Sequence, residues 1–287
     1  MINTRLIYTS IIISGLGLIS LILFPDLDVN FSRLFHDNEY GFIYRNNIIV
    51  VFLFLIIPII TKILFTIAVI HLFYQIIKVT INVKSKATKQ PQAAKRHDEK
   101  LDDEVISQSI IHEIAKSTAR PRNDGKFSRS SQLLSGLITT FWLRNLLMII
   151  ALSGSFYFIL TTAISSGLIV NYVFKENFGR ARPITIQDFG GAKNFSGPLV
   201  ISDQCKHNCS FSSGHAAMGY SLTSLAYIFS YIYFTRIYSL VLIFGSLVGF
   251  SRILMGAHFL SDVIASCLVV LIINHLIYLW QKKLKAL

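Results

Sequence analysis

Between Lys175 and Asp262 an otherwise apolar chain gathers side chains able to hold and transfer a phosphate. One group holds Lys175, Arg180, Arg182 and Pro183, a second Ser212, Ser213, Gly214 and His215, and a third Ser251, Arg252, His258 and Asp262. Lys175, Arg182 and Arg252, brought to one point, would neutralise phosphoryl oxygens as their charge reorganises. Gly214 lets a backbone approach a ligand closely, and amides that open a helix attract anions. Two histidines would supply an attacking nitrogen and a proton donor. His258 and Asp262 stand four apart, so on a helix they share a face, and a carboxylate there would set the imidazole tautomer. Each residue alone reads more simply as an interfacial cation or a packed histidine. The chemistry needs all three groups at one place, which is a demand on the rest of the chain.

The composition says what kind of scaffold must meet that demand. Of 287 residues 53% are hydrophobic and only 15% charged, with a mean hydropathy of +0.56. Soluble domains carry about a quarter charged residues, whereas a bilayer span needs about 20 apolar residues. The expected fold class is therefore all-α, a polytopic membrane bundle of about six helices. The net charge of +12 sits mostly beside apolar segments, which fits cytoplasmic loops and anionic headgroups rather than nucleic acid.

In chain order, Leu6–Phe24 is the first expected span. It reads as uncleaved, because Pro25 and Asp26 follow it and not a small-residue cleavage site. The apolar run Ile48–Ile77 exceeds one span and contains Pro58 and Lys62. A lysine at mid-bilayer is costly, so the second span is expected to start near Pro58 with Lys62 snorkelling to the interface. Ile48–Ile57 would then lie on the membrane surface or against the bundle. Lys78–Ser131 is a basic insert whose segment Asp98–Ser117 has helical apolar spacing. Leu133–Phe141 reads as interfacial, interrupted by Arg144 and Asn145, and Met148–Phe174 as the third span, with a two-span hairpin as the alternative. Ala216–Phe234, Ile237–Gly256 and Phe259–Trp280 complete the six. The expected divisions are an N-terminal helical part (residues 1–77), a basic cytoplasmic insert (78–131) and a catalytic membrane core (132–287).

Counting positive charges places the insert, Arg236, the basic tail and the N-terminus in the cytoplasm. An even number of spans satisfies all of these at once. Lys175, His215 and Arg252 then emerge on the same outer face.

These groups resemble the signature of the type-2 phosphatidic acid phosphatase superfamily. That signature is Lys, six residues, Arg-Pro, then Pro-Ser-Gly-His, then Ser-Arg, five residues, His, three residues, Asp. Here it is matched by Lys175, Arg182 and Pro183, by Ser213, Gly214 and His215, and by Ser251, Arg252, His258 and Asp262, with Ser212 where the family has proline. The resemblance implies His258 as nucleophile, Asp262 as its orienting partner, and His215 as the acid and then the base. It implies Lys175, Arg182, Ser213, Gly214 and Arg252 as phosphate-binding groups, with no metal and no cofactor. It assigns Arg180 no role, which leaves that residue as a headgroup contact. The expected partner is a membrane lipid substrate in the bilayer, with no nucleic acid, and the expected location is a bacterial inner membrane with the site facing the periplasm. Lipid A, isoprenyl diphosphates, phosphatidylglycerophosphate and phosphatidic acid are all suitable amphiphiles. The loop from Phe189 to Phe211 is similar to that of members acting on lipid A.

Phosphotransfer to another lipid would use the same intermediate as hydrolysis. A transporter or scaffold would instead place polar residues at mid-bilayer. Cys205 and Cys209 would form a small disulfide in an oxidising compartment, with a metal site including His207 as the rival. Cys267, in an apolar run, reads as an inert core residue.

Overall fold

The computed structural model describes residues 2–94, 147–229 and 232–286. The chain divides into two compact units, Met1–Ile70 with Leu152–Leu287, and His71–Ala151. Everything that positions the expected site lies in the first. The readings for Asp98–Ser117 and for Leu133–Phe141 lie outside the described residues.

The architecture is all-α, as the composition implied. In order come α1 (Thr4–Leu23), α2 (Asp26–Arg33), a two-stranded antiparallel hairpin of β1 (His36–Asp37) and β2 (Gly41–Phe42), and α3 (Ile48–Ala94). After the insert come α4 (Gly154–Thr162), a π-helix (Ala163–Phe174), α5 (Lys175–Asn177), α6 (Gly214–Ser221), α7 (Ser224–Ile228), α8 (Phe234–Leu254) and α9 (Leu260–Lys285). Among the described residues five helices are long and apolar enough to cross a membrane: Thr4–Leu23, Ile48–Ile81, Gly154–Asn177, Phe234–Leu254 and Leu260–Lys285. Their outward sides carry Ile12, Ile13, Leu16 and Leu240, all more than half exposed, as suits lipid-facing positions.

Three expectations about the spans need correction. First, α3 runs unbroken through Pro58, so the second span does not start there. Lipid offers no water to an opened backbone, which favours keeping the helix despite the proline. Leu53, Ile57 and Ile60 pack with Phe158, Leu222 and Val248, which fits the second of the two expected placements of Ile48–Ile57, against the bundle. Second, the third span begins at Gly154, not Met148, because Ser153 caps it by accepting from the Phe156 amide at 3.1 Å. Third, the fourth segment is two short helices. Ser221, Thr223 and Ser224 turn their hydroxyls onto local carbonyls, an alternative to continuous helix. Asn274 of α9 locks the break by donating to Thr223 Oγ1 at 2.9 Å.

Small residues set the close packing, the usual membrane solution where lipid removes the hydrophobic drive between helices. A Cβ on Gly219 of α6 would lie 3.0 Å from Gly245 Cα of α8, and one on Gly249 would lie 2.3 Å from Val263 of α9. Around this seam Val170, Ala216, Ala217, Tyr220, Ile253 and Val263 form the main core. The result is a tight α6–α8–α9 unit with the N-terminus of α6 beside the N-terminus of α9.

Candidate active site

That juxtaposition brings the second and third groups of residues together. The Ser213 amide donates to the Asp262 carbonyl at 3.2 Å, and Ser266 Oγ lies 2.9 Å from the Ser213 carbonyl and 2.8 Å from that of Asp262. Ser213 caps α6, its Oγ accepting from the Ala216 amide at 3.5 Å. The first group follows the π-helix Ala163–Phe174, a form frequent at functional sites. Within it the Asn171 side chain donates from Nδ2 to the Ser166 carbonyl at 2.7 Å. A Cβ on Gly214 would fall 2.5 Å from Asn171 Oδ1 and 3.3 Å from Lys175 Nζ. Only glycine therefore lets the start of α6 lie against the helix that carries Lys175.

The cations form a cluster short of acceptors. Lys175 Nζ donates to Asn208 Oδ1 at 3.1 Å, and Arg182 donates to the Asn208 carbonyl at 2.8 Å from Nη2 and 3.3 Å from Nε. Asn208 sits in the loop closed by a Cys205–Cys209 disulfide. Arg252 is buried, its guanidinium 4.5 Å from the Phe54 ring centroid. Its Nη1 reaches Met255 Sδ at 3.0 Å, and its Nε has no partner among the described residues. A buried guanidinium nitrogen without an acceptor is costly unless a ligand supplies one.

His258 is 1% exposed, and its Nδ1 lies 2.7 Å from the Ser210 carbonyl. A carbonyl only accepts, so Nδ1 carries the proton and the lone pair sits on Nε2. Asp262 Oδ2 is 3.5 Å from Nδ1, within electrostatic reach but beyond a good hydrogen bond. The expected orienting role of Asp262 is thus shared. The Ser210 carbonyl sets the tautomer directly, and Asp262 holds Ser210 by accepting from its Oγ at 2.5 Å. Burial draws the His258 imidazole down to about 4, against the pull of Asp262, so the ring is neutral near pH 7. His215 is drawn down to about 3, by burial first and then by the neighbouring basic groups Arg252, His258, Lys175 and Arg182. Its ring lies against Phe54, tilted by 35° with 4.7 Å between centroids. Burial also lowers Arg182.

Arg180 is no headgroup contact. It is 1% exposed, its Nη1 donating to Asp262 Oδ1 at 2.5 Å and its Nη2 to Asp28 Oδ2 at 2.8 Å. A guanidinium flanked by two carboxylates in the interior is stabilised there and unavailable to solvent. Gly179, with φ +58, makes the turn that aims it inward; a Cβ there would lie 1.7 Å from the Ser202 carbonyl. His207 is largely exposed, 3.5 Å from Glu176, and no metal-binding cluster occurs among the described residues. Cys267 is buried with a free thiol.

Sequence reasoning missed Asp28, Phe54, Asn208 and Ser210. Asp28 and Phe54 lie far from the signature along the chain, and no local spacing announces them. Ser210 acts through its backbone carbonyl, which has no residue-type signal. Asn208 was legible only as a polar residue inside the cysteine loop.

Residues 155–286 match the model of the PAP2 superfamily. The lipid A 4'-phosphatase of Francisella tularensis subsp. novicida (strain U112) is 40% identical over 127 residues, which is 42% of this chain and 55% of that protein. The lipid A 4'-phosphatase of Rhizobium leguminosarum is 37% identical over 114 residues, 39% of this chain and 48% of that protein. That of Rhizobium etli is 36% identical over 97 residues, 33% and 37% of the respective chains. The chain thus spans about half the length, or less, of these curated relatives. No solved structure matches it. All three groups of residues that meet at the start of α6 and α9 fall within the matched segment, which is similar to the PAP2 superfamily and makes up a little under half of this chain.

Proposed function

We propose that this protein is a membrane phosphatase that removes a phosphate from a lipid headgroup through a phosphohistidine on His258. The observation that carries the reading is the pairing of a neutral His258, protonated on Nδ1 by its bond to the Ser210 carbonyl, with a cation cluster in which Arg252 Nε lacks an acceptor. A phosphate would take the place of Asn208 on Lys175 and Arg182 and supply the missing partner of Arg252, with Ser213 and the Gly214 amide at its edge. Nε2 of His258 forms the bond to phosphorus as the bond to the ester oxygen breaks, and His215 delivers a proton to that oxygen. Water then attacks phosphorus, His215 takes its proton, the bond to Nε2 breaks, and phosphate leaves with the original imidazole restored. Three cationic side chains provide the charge stabilisation, so the reaction requires no metal.

Lipid A is the favoured substrate, because the three relatives above carry that activity in their names. The favoured location is a bacterial inner membrane with the site on its outer, periplasmic side, on the positive-charge count of the loops. Phosphotransfer to a second lipid shares every step up to the attack by water, and product analysis separates the two.

The test is phosphate release by purified protein in detergent, in excess EDTA, from lipid A, isoprenyl diphosphate, phosphatidylglycerophosphate and phosphatidic acid. Lipid A is expected to be turned over fastest, with loss of one phosphate by mass spectrometry. Chelator-sensitive activity restored by a divalent ion would overturn the cation mechanism, and faster turnover of another lipid would overturn the substrate.

A further inference from the structure

A second charged assembly lies behind His258, built around Arg180 and anchored by Asp28 of α2. Arg180 Nη1 donates to Asp262 Oδ1 at 2.5 Å and to Ser261 Oγ at 2.8 Å, Nη2 donates to Asp28 Oδ2 at 2.8 Å, and Nε to the Ser196 carbonyl at 2.8 Å. Asp28 in turn accepts from the Ser261 amide at 2.8 Å and from the Ser261 hydroxyl. Phe259 covers the guanidinium, its ring centroid 4.2 Å from Cζ. Asp28, Ser261 and Asp262 are fully buried and Arg180 is 1% exposed.

The formal charges explain why two carboxylates are present. Arg180 and Asp262 alone would sum to zero, and the guanidinium would cancel the carboxylate that faces His258. Adding Asp28 returns the assembly to a net single negative charge. The site in front is cationic, through Lys175, Arg182 and Arg252, and attack by Nε2 leaves a positive imidazole ring with no other anion behind it among the described residues.

We infer that Asp28, Arg180 and Asp262 act as one delocalised counter-ion for the imidazolium formed at His258, and that Asp28, outside the matched family segment, is the positioning residue that supplies its excess charge. Burial pushes the Asp28 carboxyl up while Arg180 opposes this. The ion pair at 2.8 Å between Arg180 Nη2 and Asp28 Oδ2 favours the charged carboxylate, and Asp28 in turn shares the guanidinium that would otherwise cancel Asp262. The assembly also ties α2 to the start of α9, which makes the N-terminal part of the chain a component of the site.

The inference rests on His258 being the nucleophile, and the probes are chosen to separate the two ideas. Vanadate accepts a fifth bond from a histidine nitrogen, whereas tungstate binds the cations as a tetrahedral dianion. Their affinities for the full-length protein in detergent, measured by calorimetry, need no turnover. In Asp28→Asn the vanadate Kd should rise about tenfold or more, the effect of one nearby opposite charge, while the tungstate Kd stays within about twofold or tightens. In Asp28→Asn/Arg180→Gln the net charge returns to that of the native assembly, and vanadate affinity should recover most of the loss. The kcat for nitrophenyl phosphate should fall and recover in parallel with little change in KM.

A purely structural role predicts the double variant to be as weak as the single one or weaker, and that outcome overturns the inference. Unchanged vanadate affinity in Asp28→Asn overturns it as well. Should Asp28→Asn not accumulate folded, the double variant decides alone: vanadate affinity within about threefold of native supports the counter-ion, and loss equal to that of Asp262→Asn refutes it. If the native protein binds vanadate no better than tungstate, the nucleophile assignment is what fails.

Discussion

His215 presents a quantitative puzzle that a binding experiment can resolve. As the proposed general acid it must carry a proton, yet burial first, and then four neighbouring basic groups, hold it down to about 3. At pH 7 the neutral ring would outnumber the protonated one by on the order of 10³–10⁴, after allowing for water screening at a half-buried ring. General acid catalysis typically contributes about 10²–10⁴, so a site left in this state would forfeit nearly all of the benefit. The substrate itself must change the balance. A dianion on Lys175, Arg182 and Arg252 cancels most of the positive field that adds to burial in depressing His215, and its oxygens favour the protonated ring. Binding of a dianion should therefore draw a proton from solution. The sign follows: because a bound dianion raises a value that is otherwise depressed, affinity increases as pH falls through the value that His215 has with the dianion bound. Tungstate stays dianionic from about pH 6 to 8, so calorimetry in buffers of differing ionisation enthalpy reports the protons taken up. Uptake approaching one proton is expected at about pH 6, and close to none in His215→Asn. Undiminished uptake in that variant, or none in the native protein, would refute the coupling of the acid to its substrate.

Three further outcomes are expected. His258→Ala should abolish turnover for every substrate, while His215→Ala should accumulate acid-labile, base-stable label from nitrophenyl phosphate after a rapid quench; label in the first variant and not the second would reverse the roles. Replacing both Cys205 and Cys209 by serine should loosen the loop that places the Ser210 carbonyl on His258 Nδ1 and lower kcat/KM by about tenfold, with thiol titration of the untreated protein confirming that only Cys267 is free. Phe54→Ala should lower kcat/KM by roughly 3- to 30-fold, since it removes a cation–π contact worth about 0.5–2 kcal/mol and the support of the His215 ring, and Phe54→Tyr should restore most of it.

Sequence alone determined the class of the fold and singled out the candidate reacting groups. Long apolar runs leave a chain little choice in lipid except helices, because each backbone polar group must find its partner within the segment. The chemistry-bearing residues were legible because few charged residues occur in the C-terminal half, and those present recur at spacings that match helix ends. Tertiary structure decided how those groups are placed. The unbroken α3 carries Phe54 to Arg252 and His215, where a proline and a lysine had suggested a later start to the span. The Ser210 carbonyl, and not Asp262 alone, sets the His258 tautomer, and a main-chain acceptor has no signature in residue type. Arg180 turned inward to Asp28 and Asp262 because a buried guanidinium needs anions on both sides. Its second anion comes from a helix 152 residues away in the chain, a distance over which only folding can pair charges.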